Sequence, residues 1–238
     1  QRIERELNIW VTLGVEHVNI LPLYGYMYGF GPFPALVSPW AENGTLEVYV
    51  ERQKLTMADK FNILKGVAAG VQYLHDKDIV HGDLTGPNIL ISRDGTACLA
   101  DFGLSLRYSE AMGIFQASWS SSPHGNYRWM APERFEECED GLPARPSKQG
   151  DIYSFGGIML LVVTGKRPYH YIQHEPMVYR NITTSVKPTR TRYDPVPDKY
   201  WQFIEECWRT DPQHRPSTER VVQMVRDEFE LIRASADG

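Results

Sequence analysis

Asp83, Asn88 and Asp101 carry the most chemistry in this chain, and all three lie in the stretch I-V-H-G-D-L-T-G-P-N-I-L-I-S-R-D-G-T-A-C-L-A-D-F-G, from Ile79 to Gly103. Asn88-Ile89-Leu90-Ile91 and Ala97-Cys98-Leu99-Ala100 are short apolar runs separated by Arg93-Asp94-Gly95, whose Asp-Gly step favours a hairpin. A hairpin brings Asn88, at the start of its first strand, close to Asp101, at the end of its second. Mg²⁺ is hard and oxygen-seeking, so one amide, one carboxylate and a nucleotide's phosphates can complete its shell. Asp83 is then left to orient a hydroxyl nucleophile and accept its proton.

Those side chains need supports on either side. Thr56-Met57-Ala58-Asp59 opens a helix whose Phe61, Leu64, Val67, Ala68, Val71 and Leu74 share one face, and which runs out at His75 beneath the loop. His75 and His81 have no second His or Cys at ligand spacing and are expected to be structural. Asp151 to Gly165 is nearly all apolar, the pattern of a central helix, with Asp151 placed as its N-cap. Ile3, Leu7, Trp10 and Leu13 mark an amphipathic helix, and residues 17–28 and 35–46 read as two strands with Asn43-Gly44 as a breaker. Leu104 to Tyr127, with Ser118, Ser120, Ser121 and Ser122, reads as a mobile loop. Phe135 to Gly150 reads as a surface insertion. Ser217 and Glu219 give a partial capping box for the last helix.

H-G-D-L-T-G-P-N resembles the protein-kinase catalytic loop H-R-D-L-x-x-x-N, and Asp101-Phe102-Gly103 resembles the D-F-G that follows it. Ala131-Pro132-Glu133, Asp151 in D-I-Y-S-F-G and Arg215 in D-P-Q-H-R-P-S then appear in kinase order. The resemblance implies an α+β, protein-kinase-like fold: a mainly helical C-lobe with a truncated small β lobe. Residues 1–37 would be the small-lobe remnant, 38–232 the hinge and C-lobe, and 233–238 a tail. It implies ATP and Mg²⁺ as cofactors and a protein substrate. Asp83 would be the catalytic base, and Asn88 and Asp101 the metal ligands. Glu6, with Glu4 as the alternative, would pair with the strand-3 lysine. Ser38 would be the gatekeeper, the backbones of Pro39 and Ala41 would meet adenine, and Leu90 would form its floor. Proline suits position 39 because only its carbonyl is needed. Glu133 and Arg215 would form a buried ion pair, and Asp151 would anchor the catalytic-loop backbone.

Several departures qualify the expected chemistry. In this family the Gly-rich loop and the lysine precede the segment that begins at Gln1, so the isolated chain is expected to be nearly inactive. Gly82 replaces the arginine before the catalytic aspartate, leaving Arg107 and Arg128 as alternative partners for a loop phosphate, and Thr85 replaces a lysine. H-G-N-Y-R-W-M-A-P-E resembles the tyrosine-kinase-like group of serine/threonine kinases, with Asn126 where that group has Thr, so serine or threonine is the expected acceptor. The alternative is a pseudokinase, a binding module without phosphoryl transfer.

Composition is consistent with this. The 238 residues are 42% hydrophobic and 23% charged, an ordinary globular balance, and the net charge of −5 supplies no general attraction for nucleic acid. The longest apolar run, Ile158 to Val163, is far short of the roughly 20 residues that span a bilayer, so no membrane span is expected. Cys98, Cys138 and Cys207 suit neither a disulfide framework nor a zinc site; with no signal-like N-terminus, a cytoplasmic location is expected.

Overall fold

No charged residue falls between Ile152 and Val163, and a helix of that kind has to be covered on every side. The computed structural model describes residues 10, 17–29, 35–101, 106–107, 126–136 and 144–236. In chain order its strands are β1 (Gly25–Met27), β2 (Ala35–Val37), β3 (Ile79–Val80), β4 (Ile89–Ile91), β5 (Ala97–Leu99) and β6 (Leu106–Arg107). Its α-helices are α1 (Leu46–Arg52), α2 (Met57–Asp76), α3 (Lys148–Thr164), α4 (Glu175–Thr183), α5 (Asp198–Cys207) and α6 (Thr218–Ala236). The strands form three antiparallel pairs, β1 with β2, β3 with β6 and β4 with β5. This is the expected α+β fold, mainly helical with small sheets.

Helix α3 is buried from Asp151 to Val163 and forms the centre. Gly156 explains how closely α5 approaches it: a Cβ there would lie 2.8 Å from Cys207 Cβ and 2.9 Å from the Trp208 indole nitrogen. One expectation is corrected here. The N-cap of α3 is Ser147, whose Oγ accepts from the Gly150 N–H at 3.0 Å, and Asp151 lies inside the first turn. The reason is competition for one carboxylate, since that of Asp151 is occupied by the catalytic loop (below).

Helix α2 starts as its sequence indicates. Thr56 and Asp59 form a reciprocal capping box, with Asp59 N–H to Thr56 Oγ1 at 3.2 Å and Thr56 N–H to Asp59 Oδ2 at 2.9 Å. Its buried face, Phe61 to Leu74, packs against α3, α6 and β5. At α6, Ser217 Oγ accepts from the Arg220 N–H at 3.3 Å, which satisfies one orphan donor of the first turn.

The two predicted small-lobe strands are present but short, paired with Gly25 opposite Val37. Asn19 and Leu21 join this region to the hairpin through Leu99 N–H to Asn19 O at 2.8 Å and Leu21 N–H to Leu99 O at 2.9 Å. No helix among the described residues is long and apolar enough to cross a membrane.

Candidate active site

The loop between β3 and β4 hangs from one buried carboxylate. Asp151 Oδ1 accepts from the Gly82 N–H at 2.9 Å; Oδ2 accepts from the His81 N–H at 2.8 Å and bonds His75 Nε2 at 2.9 Å. His75 Nδ1 meets Thr218 Oγ1 at 2.7 Å, so α2, α3 and α6 all converge under the loop. Burial alone would push the Asp151 carboxyl up. The hydrogen bond and charge of His75, with the Gly82 N–H, outweigh it and hold the group below the usual carboxylate range. His75 and His81 are therefore structural, as expected. His81 Nδ1 accepts from the Asp83 N–H at 3.3 Å and its Nε2 faces Ala100 O at 3.2 Å, contacts that together place the ring hydrogen on Nε2.

Asn88 sets Asp83. Its Nδ2 donates to Asp83 O at 2.9 Å and to Asp83 Oδ2 at 3.0 Å. Both bonds use the nitrogen, so Asn88 Oδ1, the atom with lone pairs for a hard cation, has no hydrogen bond among the described residues. In the hairpin Ile89 pairs with Leu99, and the Ala100 N–H donates to Asn88 O at 2.9 Å. Asn88 thus faces the residue before Asp101, the proximity the Asp-Gly turn predicted. Asp101 adopts φ 59°, a left-handed conformation that Asp tolerates better than most side chains. An amide oxygen and a carboxylate at the adjoining ends of two strands are a hard-oxygen donor set that fits Mg²⁺.

Leu90 alternates with buried Ile89 and Ile91 and faces the other way. With Pro39 and Ala41 it lines a cavity of about 640 Å³, whose wall also includes Ile20, Trp40 and Cys98. The three residues expected around adenine, Pro39, Ala41 and Leu90, thus share one cavity wall. Ser38, half-buried at the end of β2, is not on that wall, and neither are Asp83, Asn88 and Asp101. Glu6, Phe102 and Gly103, and the serines at 118 and 120 to 122, lie outside the described residues.

Sequence reasoning saw Asn43-Gly44 only as a breaker, whereas the pair locks the hinge onto the hairpin. The Asn43 N–H donates to Ile91 O at 3.2 Å, Asn43 Nδ2 donates to Ser92 O at 2.6 Å, and the Ile91 N–H donates to Gly44 O at 2.8 Å. Glu133 and Arg215 form the expected pair, bidentate at 2.6 and 2.7 Å, with the Arg215 side chain fully buried.

Arg128 requires a correction. It is buried and committed to Pro168 O at 3.2 Å, Tyr169 O at 2.8 Å, Ile172 O at 3.0 Å and the Glu175 carboxylate, so it is not a spare partner for a loop phosphate. Thr85 is buried as well, and its hydroxyl has no hydrogen-bond partner among the described residues.

A carboxylate on a loop suspended from a buried aspartate, ahead of a hairpin bearing an amide and a second carboxylate, is the site architecture of a protein kinase. The sequence model of the protein tyrosine and serine/threonine kinase family matches residues 1–225, and the chain belongs to that family. It is similar to the serine/threonine-protein kinase STY46 of Arabidopsis thaliana, at 25% identity over 230 residues. The match covers 94% of this chain and 37% of that protein, so the chain spans a little over a third of the relative's length.

Proposed function

We propose that this domain transfers the γ-phosphoryl group of ATP to a serine or threonine hydroxyl of a protein substrate in the cytoplasm. The observation that carries the reading is the double hydrogen bond from Asn88 Nδ2 to the backbone and side chain of Asp83. It fixes the carboxylate's orientation on a loop that Asp151 already holds. In the reaction the acceptor oxygen bonds to the γ-phosphorus and the bond from phosphorus to the ADP oxygen breaks. The hydroxyl proton passes to Asp83. Positioning and general-base help of this kind contribute about 10²- to 10⁴-fold in rate. Asn88 Oδ1 and the Asp101 carboxylate would hold Mg²⁺, which when bound neutralises charge on the phosphates. Leu90, with the backbones of Pro39 and Ala41, would receive the adenine, and Ser38 would stand beside it as gatekeeper. Glu6 would pair with the phosphate-binding lysine.

The likeness to a serine/threonine-protein kinase supports the choice of acceptor. The rival reading, a binding module without transfer, draws on Gly82 and Thr85; retention of Asp83, Asn88 and Asp101 together argues against it. Asp83→Asn and Asp101→Asn in the full-length protein separate the roles. Asp83→Asn is expected to abolish transfer with ATP affinity within about threefold of wild type, whereas Asp101→Asn also weakens Mg-ATP binding by about tenfold or more. Equal losses of affinity in both variants would contradict the assignment.

A further inference from the structure

Gly82 deprives the catalytic loop of a cation, and the chain brings another cation to the same place from a different segment. Arg134 lies on the 3₁₀ turn Pro132–Phe135, directly after the Ala131-Pro132-Glu133 motif. With Gly82, Asp151, Ser147 and Ser154 it lines a crevice of about 10 Å³, room for about one water molecule. Its guanidinium donates to Ala144 O, which fixes the side chain from behind. Asp151 lines the same crevice, and the charges of Asp151, Glu133 and Asp83 favour the charged form of Arg134. Burial pushes its guanidinium down to about 10 against the pull of these carboxylates, so it is charged at neutral pH. Gly82 itself sits at φ 78°, held there by the Asp151 carboxylate, in a conformation that disfavours any side chain.

We propose that Arg134 is a positioning residue that supplies, from beneath the loop, the positive charge the loop lacks at Gly82. This rests on the phosphoryl-transfer reading. Glycine at 82 and arginine at 134 then form one solution. The crevice has no room for two guanidinium groups, and a second cation beside Arg134 would be repelled by it. Because its charge is carried by a residue of the fold, the loop's electrostatics are complete without a phosphate.

The pairing predicts a sign reversal in a double-mutant cycle in the full-length protein. Arg134→Met is expected to lower kcat about tenfold with KM for ATP within about twofold, and Arg134→Lys to retain most of the activity. Gly82→Arg is expected to slow the wild type. In the Arg134→Met background the same change should speed the enzyme, to within about threefold of wild type, with strain at φ 78° preventing full recovery.

A second readout does not depend on turnover. The Asp151 carboxyl is held below its unfolded value, so its contribution is present above the unfolded pKa and lost as pH falls through the folded one. The groups acting on Asp151 are His75 on α2, and His81 and the Gly82 N–H on the loop, with Arg134 on the wall of the same crevice; Glu133 pairs with Arg215. Removing Arg134 should therefore move the acid-unfolding midpoint to higher pH, and Gly82→Arg should return it. A wild-type protein that folds but transfers nothing overturns the phosphoryl-transfer reading and leaves this inference to the acid midpoint. A midpoint unmoved by Arg134→Met, or a double variant no faster than Arg134→Met alone, overturns the inference.

Discussion

The two sides of the catalytic loop are built on opposite principles. Beneath it, Asp151, His75 and His81 are buried and bonded to one another or to backbone, and the Glu133–Arg215 pair is closed by further bonds from Arg215 to Arg209 O and Gln149 O. On the hairpin side, Leu90, Pro39 and Ala41 border a cavity of about 640 Å³ with mostly apolar walls. A buried ionic network is costly to break, because removing one member leaves its partner desolvated and unpaired. An open apolar wall loses little when one side chain is trimmed. The underside thus holds the loop's geometry, and the hairpin side depends less on any one side chain.

Substitutions test that contrast, and the largest effect should come from beneath. Asp151→Ala leaves the His81 and Gly82 N–H groups and His75 without their acceptor, and should cost about 3–5 kcal/mol in denaturant unfolding. Glu133→Gln strands a fully buried Arg215 side chain but keeps one acceptor at a partly exposed position, so about 2 kcal/mol is expected. Leu90→Ala should behave differently, with about 1 kcal/mol of stability lost but roughly tenfold weaker ATP binding by calorimetry. If Leu90→Ala destabilised as much as Asp151→Ala, the contrast would fail.

The smallest effect is expected from the serines at 118 and 120 to 122. With Gly82 lacking a side chain and Arg128 committed to the Pro168, Tyr169 and Ile172 carbonyls and to Glu175, a phosphate on Ser118, Ser120, Ser121 or Ser122 has lost two of its possible partners. Replacing all four serines with alanine should change the initial rate by less than about tenfold, or 1.4 kcal/mol of barrier. A larger drop would show that phosphate controls the loop.

The parts legible in the sequence were those governed by local rules. Thr56 with Asp59 announced the start of α2, the Asp-Gly turn announced the hairpin, and the absence of charge from Ile152 to Val163 announced the central helix. Ordered motifs then named Asp83, Asn88 and Asp101. What escaped were contacts between segments remote in sequence. Asp151 looked like an N-cap because it stands near a helix start, yet a carboxylate holding two loop N–H groups cannot also cap its own helix. Arg128 looked available because it stands beside a loop, but its side chain reaches some forty residues ahead to the carbonyls around Tyr169. Arg134 carried no signal at all, since its meaning depends on Gly82, and only folding brings the two to one crevice.

The central claim, that this site transfers phosphate and does not merely bind nucleotide, is tested most directly by incubating the full-length protein with γ-labelled Mg-ATP and a degenerate peptide library, then identifying the labelled residue. Label on serine or threonine, lost in Asp83→Asn while nucleotide binding persists, is the predicted result. Tight Mg-ATP binding by the wild type with no label on any peptide would contradict it.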